Sequence, residues 1–342
     1  MLKRGVFIIA EAGVNHNGDI NLAYKLIDEA KEAGADAVKF QTFKAEKGIS
    51  KYTKMASYQR KNLGEEMSQI DMVKRLELSY NDFEKLKNYS DEKGVIFLSS
   101  PFDEESVDFL DKLVPYYKIP SGEIVNYPYL KHIASKNKPI IMSTGMANLS
   151  NVEKALDTIY SVNNTVEIYL LHCTTNYPCP YDEVNLKAML TLKDAFKLPV
   201  GYSDHTLGIE VPISAVALGA QVIEKHFTLD KDMPGPDHKA SLNAAELKSM
   251  VKAIRNIEIA LGTGIKKPNK SEEEIENVVR KKLVASRDIE AGKIISEKDI
   301  AIKRSNEGLA PEFLDIIVGK KIIKEIKEDE GYTWQHFMEE SN

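Results

Sequence analysis

Cysteine is nearly absent. Cys173 and Cys179 are the only two in 342 residues, which rules out the dense disulfide framework of small secreted domains and points to a reducing cytoplasm. Long hydrophobic runs are missing too. A bilayer span needs roughly 20 apolar residues in a row. The opening MLKRGVFIIAEAGVNHNG sets two basic residues before an apolar stretch, as a signal peptide does, but that stretch runs only from Val6 to Ala10 before Glu11 interrupts it. It reads as a first β-strand of a soluble protein, not a membrane protein. Nor does positive charge predominate. Lys and Arg number 46 against 52 Asp and Glu, a formal charge of −6. The basic residues are scattered, so no nucleic acid and no anionic membrane is expected as a partner, and small molecules are.

What is present is enough apolar material, 43% of the chain, for one large core and a smaller second domain. Eight short apolar runs recur: VFIIAEAG from Val6, AVKFQTF from Ala37, VIFLSSPF from Val95, YYKIPSG from Tyr116, PIIMSTG from Pro139, VEIYLLHC from Val166, VGYSDH from Val200 and VIEKHFT from Val222. Amphipathic stretches separate them, among them Asn21 to Ala33, Asn81 to Lys93, Val152 to Ser161 and Ala244 to Leu261. Continuous apolar strands alternating with helices imply a parallel α/β sheet covered on both faces. Eight such units fit a closed (β/α)8 TIM barrel better than the alternative, an open doubly wound sheet. A barrel carries its active site at the C-terminal strand ends, where these runs become polar.

Two segments break the repeat. Lys44 to Asp71 is a long polar insertion after strand two and reads as a lid or substrate wall. Residues 266–282 are charged, contain Pro268, and read as a linker with a short helix. The expected domains are therefore 1–265 for the barrel, 266–282 for the linker and 283–342 for a compact domain of short β segments.

Strand seven ends at Ser203-Asp204-His205 and strand eight at Glu224-Lys225-His226. Histidines level with each other on neighbouring strands, about 4.8 Å apart, can share one divalent ion; each taken alone is as well read as a hydrogen-bonded core residue. Lys39 and Lys118 lie in strands two and four, and Ser100, Ser121, Ser143 and Ser203 at the ends of strands three, four, five and seven. Together they suit a substrate with a phosphate and a carboxylate, because buried ammonium groups need an anion. The bland alternative turns the lysines outward to pair with acids. Glu11 and Glu123 are candidate bases or lysine partners. Asp237, in the rigid loop Met233 to His238, is a candidate for sugar hydroxyls or a turn residue.

The segments IIAEAGVNHNG, AVKFQTF, STGMANL, LLHCTTNYPCPY, GYSDHT, IEKHFTLD and GPDHKAS, in this order, resemble the sialic acid synthase family, which includes N-acetylneuraminate and N,N'-diacetyllegionaminate synthases. The C-terminal segment resembles the antifreeze-like (SAF) domain of such synthases. The resemblance implies that His205 and His226 bind a divalent metal, Mn2+ above Mg2+ or Co2+. It implies that Lys39, Ser100, Lys118, Ser121, Ser143 and Ser203 hold phosphoenolpyruvate, Ser100 standing where Thr is commoner. It places Gln41, Tyr177 and Asp237 on the sugar and Glu11 as a further active-site carboxylate. It also implies a domain-swapped homodimer in which Arg304 reaches the other chain's sugar site.

The implied reaction joins C3 of phosphoenolpyruvate to the aldehyde carbon of an open-chain acylamino-hexose, with C–O cleavage releasing phosphate; Glu123 is the candidate for activating the water. The run Thr174-Thr175-Asn176-Tyr177-Pro178 replaces the TNIYP of many N-acetylneuraminate synthases and resembles the legionaminate branch. That branch uses 2,4-diacetamido-2,4,6-trideoxymannose where the other uses N-acetylmannosamine. Two rival readings remain: a metal-free aldolase forming a Schiff base on Lys39, Lys118 or Lys225, and a non-catalytic protein whose small domain binds ice or glycans.

Overall fold

In the computed structural model, which describes residues 5–64 and 67–338, the chain divides into two compact units, Met1–Gly262 and Thr263–Asn342. The first is the expected barrel. Its strands are β1 (Phe7–Gly13), β2 (Ala37–Thr42), β3 (Ile96–Pro101), β4 (Tyr117–Ile119), β5 (Ile140–Ser143), β6 (Ile168–His172), β7 (Val200–Asp204) and β8 (Val222–His226). All ladders are parallel, in the order β3-β2-β1-β8-β7-β6-β5-β4. β3 and β4 pack side by side and close the ring.

β1, β7 and β8 are buried at every position, because one face of each strand looks into the barrel and the other lies under helices. Helix Ile20–Ala33 shows how the sequence builds that cover. Asp19 caps its first turn by accepting from the Asn21 amide, Gly34 ends it in the left-handed region, and Ala23, Leu26, Ile27 and Ala30 form the buried stripe. β4 is short because Pro120 has no N–H to extend the ladder; Ser121–Glu123 turn away as a 3-10 helix instead. The insertion after β2 folds into three short helices, Ala45–Gly48, Ser57–Leu63 and Gln69–Lys74.

Alternation along β7 and β8 sends Ser203 and Glu224 inward, where their side chains bond, and Asp204 and Lys225 outward. Lys225 Nζ lies 2.5 Å from Asp204 Oδ2 with neither side chain exposed, and it also donates to the Thr206 carbonyl. No helix among the described residues is long and apolar enough to cross a membrane.

In the second unit, β9 (Lys281–Ala285) pairs antiparallel with β10 (Ile300–Arg304), so strand structure begins two residues before position 283. Helix Glu273–Val279 precedes it. Leu283, Ile295, Ile317, Ile322, Ile326 and Tyr332 form a separate core. The fully buried Asp299 receives hydrogen bonds from Arg287, Lys293 and Ser296. Burial alone would raise this carboxyl, but those bonds outweigh it and hold it well below the usual carboxylate range. Its contribution to stability is full above the unfolded pKa of about 3.9 and is lost as pH falls from there through the folded value. Asp299→Asn should cost this unit about 2 kcal/mol at pH 7 and remove that part of the acid dependence. Trp334, the only tryptophan in the chain, reports this unit's unfolding by fluorescence. An unchanged midpoint at pH 7 would reject the assignment.

Candidate active site

The inward positions at the C-terminal strand ends converge. Lys39 Nζ lies 2.7 Å from Glu11 Oε2 and 3.7 Å from Glu224 Oε2, and donates to Ser100 Oγ at 3.0 Å. Lys118 Nζ lies 3.4 Å from Glu224 Oε1 and donates to Ser143 Oγ at 2.7 Å. Ser203 Oγ donates to the same Glu224 Oε1 at 2.8 Å. One carboxylate thus bridges both lysines, and all of these side chains are buried. Lys39 and Lys118 do point inward, but the anions that justify them in the protein alone are Glu11 and Glu224, so their burial by itself does not demand a phosphate.

The electrostatics separate the two carboxyls. Burial pushes Glu11 up; Lys39 opposes the shift and Glu224 adds to it, and the net change is upward. Burial also works against the Glu224 charge, but Lys118 and Lys39 outweigh it and hold this carboxyl low. Burial lowers Lys118. For Lys39 the same burial is outweighed by Glu11 and Glu224, which raise it. Glu11 also accepts from Gln41 Nε2 at 3.3 Å. Gly13, at φ +54°, keeps this corner open: a Cβ there would sit 3.3 to 3.4 Å from Glu11, Gln41 and His226.

His205 and His226 meet beside this cluster, their ring centroids 5.5 Å apart. His205 Nδ1 donates to the Thr174 carbonyl at 2.6 Å, which leaves the lone pair on Nε2. His226 Nδ1 is buried with no hydrogen-bond partner among the described residues. Burial lowers both imidazoles, that of His226 strongly, so both are neutral at physiological pH, the form that binds metals. The pair therefore fits a divalent ion as a two-nitrogen donor set. Among the described residues no group of three or more His, Cys, Asp or Glu is placed to hold one, so the remaining positions would fall to water or substrate.

Tyr177 packs over His205, centroids 4.1 Å apart, and edge-on to His226 at 5.6 Å. Ser121 lies beside the cluster rather than in it, 3.1 Å from Cys173 Sγ and accepting from the Gly145 amide. Glu123 stands in the turn after β4, its Oε2 accepting from Asn126 at 2.7 Å; no hydrogen bond or ion pair among the described residues joins it to the lysines. Asp237 is buried in its loop, and burial alone pushes its carboxyl up to about 6. Gly235 cannot be replaced cheaply there, because a Cβ would meet the His238 ring at 2.4 Å. Arg304 is exposed on β10 of the second unit, opposite Lys281, with no hydrogen bond or ion pair among the described residues.

Residues 26–266 match the NeuB family and residues 280–338 match the SAF domain. The chain belongs to the NeuB family. Among its relatives, the N,N'-diacetyllegionaminic acid synthase of Campylobacter jejuni is 55% identical, the match covering 94% of this chain and 97% of that protein. The synthase of the same name from Legionella pneumophila is 51% identical, over 96% and 94%. A solved N-acetylneuraminic acid synthetase from Leptospira borgpetersenii, in complex with citrate, superposes with a TM-score of 0.70. It is 36% identical, over 82% of this chain and 96% of that one.

Sequence reasoning about this NeuB chain passed over Glu224. The signal was present: Glu224 is two residues before His226 in a strand, so an inward His226 makes Glu224 inward as well. The Thr174 carbonyl that orients His205 was not legible, because nothing in a sequence says where a backbone oxygen will point.

Proposed function

We propose that this NeuB-family protein is a sialic-type (nonulosonic) acid synthase. It condenses phosphoenolpyruvate, an N-acetylated mannosamine-type sugar and water into a nine-carbon acid and phosphate. The acceptor is 2,4-diacetamido-2,4,6-trideoxymannose in preference to N-acetylmannosamine, giving N,N'-diacetyllegionaminate. Identity of 55% and 51% to proteins named for that product supports the choice. The observation that carries the chemistry is the buried Lys39–Glu11–Glu224–Lys118 cluster beside two neutral imidazoles.

Lys39 and Lys118, with Ser100, Ser143, Ser203 and Ser121, bind the phosphate and carboxylate of phosphoenolpyruvate and fix C3 toward the aldehyde carbon. His205 and His226 would hold a divalent ion, Mn2+ first and Mg2+ or Co2+ as alternatives, which supplies Lewis-acid polarisation of the sugar aldehyde when bound. Gln41, Tyr177 and Asp237 orient the sugar. Glu11, a carboxyl that burial raises despite Lys39, and Glu123, at the more open rim, are the two candidates for taking the proton of the water that adds to C2. Collapse of that adduct breaks the C–O bond and releases phosphate.

The barrel of residues 1–265 carries this chemistry, 266–282 link it to the antifreeze-like domain of 283–342, and a domain-swapped homodimer brings Arg304 to the partner's sugar. Arg304→Ala should then raise the sugar KM by about 10- to 100-fold, the loss of one charge-assisted hydrogen bond, and barely move the KM of phosphoenolpyruvate. An unchanged sugar KM would reject the swap. The site is cytoplasmic, in keeping with two buried, free cysteines.

The Schiff-base reading loses Lys225 to its buried pairing with Asp204 outside the barrel, and Lys39 to its carboxylates. Only Lys118, lowered by burial, retains a reason to be tested. Phosphate release from phosphoenolpyruvate, with and without Mn2+ across a panel of hexosamines, tests the whole proposal. Release is expected only with both sugar and metal, greatest with the diacetamido sugar. Full activity in EDTA, or trapping of pyruvate by borohydride, would overturn it.

A further inference from the structure

Among the described residues, Ser100, Ser143 and Ser203 each hydrogen-bond to a charged group of the central cluster, namely Lys39, Lys118 and Glu224. Ser121 does not. Its Oγ accepts from the Gly145 amide at 3.1 Å and lies 3.1 Å from Sγ of Cys173, the buried residue that follows β6. Glycine at 145 is what lets these groups meet. A Cβ there would stand 2.7 Å from Ser121 Oγ and 3.0 Å from Cys173 Sγ, and either atom would have to move away.

A hydroxyl has one proton to give and two lone pairs with which to accept. At Ser121 the Gly145 N–H takes the first lone pair, so the behaviour of Cys173 decides the rest. A thiolate would draw the serine proton to itself, whereas a thiol can give its own S–H to the second lone pair. Burial raises the Cys173 thiol and outweighs the lowering by Ser121 and Lys118, so the S–H form is the one present. With that S–H donated, both lone pairs of Ser121 are occupied. Its O–H proton then has no competing role among the described residues, and the hydroxyl can act only as a donor, which is what an anionic oxygen requires. The reverse bond, from Ser121 to sulfur, would place a good donor on a weak acceptor.

We propose that Cys173 is a positioning residue: together with the Gly145 amide it fills the acceptor sites of Ser121 Oγ and so aims the hydroxyl proton at an anionic oxygen of phosphoenolpyruvate. The inference rests on the synthase reading above and deepens it at this hydroxyl. The end of β6 then orients two parts of the site, His205 through the Thr174 carbonyl and Ser121 through the Cys173 thiol.

The test measures kcat and both KM values in the full-length, Mn2+-loaded protein and in Cys173→Ala, Cys173→Ser, Ser121→Ala and the Ser121→Ala/Cys173→Ala double variant. Cys173→Ala should raise the phosphoenolpyruvate KM about five- to tenfold, the scale of one neutral hydrogen bond, with kcat and the sugar KM within about twofold of the unaltered protein. Cys173→Ser keeps a donor and should recover most of the loss. In the Ser121→Ala background Cys173→Ala should add nothing, because the group it positions is gone, whereas a sulfur that merely fills space would cost the same again. The infrared S–H stretch decides the matter without any change at Cys173, and so holds even if Cys173→Ala fails to fold. Donation lowers the frequency of that stretch, so the band should rise in Ser121→Ala. An unchanged KM in Cys173→Ala, additive losses in the double variant, no recovery with serine, or an unmoved S–H band would overturn the proposal while leaving the synthase reading intact. No phosphate release by the unaltered protein with either sugar would instead sink the synthase reading, and this inference with it.

Discussion

His205→Ala is expected to abolish Mn2+ binding, measured by calorimetry or by the electron paramagnetic resonance of the free ion, and to lower turnover by at least about 1,000-fold. That loss corresponds to about 4 kcal/mol of transition-state stabilisation. Among the described residues the two imidazoles are the only donors of their kind at the site, so removing one leaves a single nitrogen, too few to retain an ion against water. The fold should survive, because His205 follows the end of β7 and its imidazole, among the described residues, hydrogen-bonds to the Thr174 carbonyl at the loop edge rather than within the core. Thr174 contributes through its backbone, so no side-chain change there should mimic the loss. A His205→Ala protein that keeps both its ion and its rate would refute the assignment.

Lys225→Met should be the most destabilising single change in the barrel, at about 3–5 kcal/mol. It strands the Asp204 carboxylate, which is wholly buried and whose partners would be reduced to the Thr206 amide and hydroxyl. Thermal unfolding followed by circular dichroism should shift down by on the order of 10 °C, while the Trp334 transition of the second unit stays where it was. Pairing the change with Asp204→Asn should recover much of the loss, since removing both charges avoids an uncompensated one. The damage should also reach function, because Asp204 and Lys225 sit in register between the positions that aim Ser203, Glu224, His205 and His226. A stable Lys225→Met protein would show that the pair is incidental.

The barrel was legible because its signal is repeated eight times: each apolar run became a strand, and the named helical stretches formed within a few residues of their expected ends. β4 came out shorter than its run suggests, since Pro120 stops the ladder. In the site, period-two alternation was enough to bring Lys39, Lys118, Ser100, Ser143, Ser203 and the two histidines together. Glu11 was open as a lysine partner and pairs with Lys39, but the sequence did not show that Glu224 bridges both lysines. That depends on which acid among several reaches across the ring, a matter of side-chain length and register between β8, β2 and β4. The position of Glu123, held by Asn126 in a turn, was equally hidden.

The bridging Glu224 has a consequence for how an anion enters. Before any ligand arrives, the two ammonium groups already have counter-charges, so the mouth of the barrel should be a poor trap for chloride, sulfate or free phosphate. An incoming ligand has to win the lysines away from Glu11 and Glu224 by exchange, and only a molecule offering two anionic ends at the right separation can engage both at once. On the proposed function, selectivity for a doubly charged guest would thus be enforced by the residents it must displace.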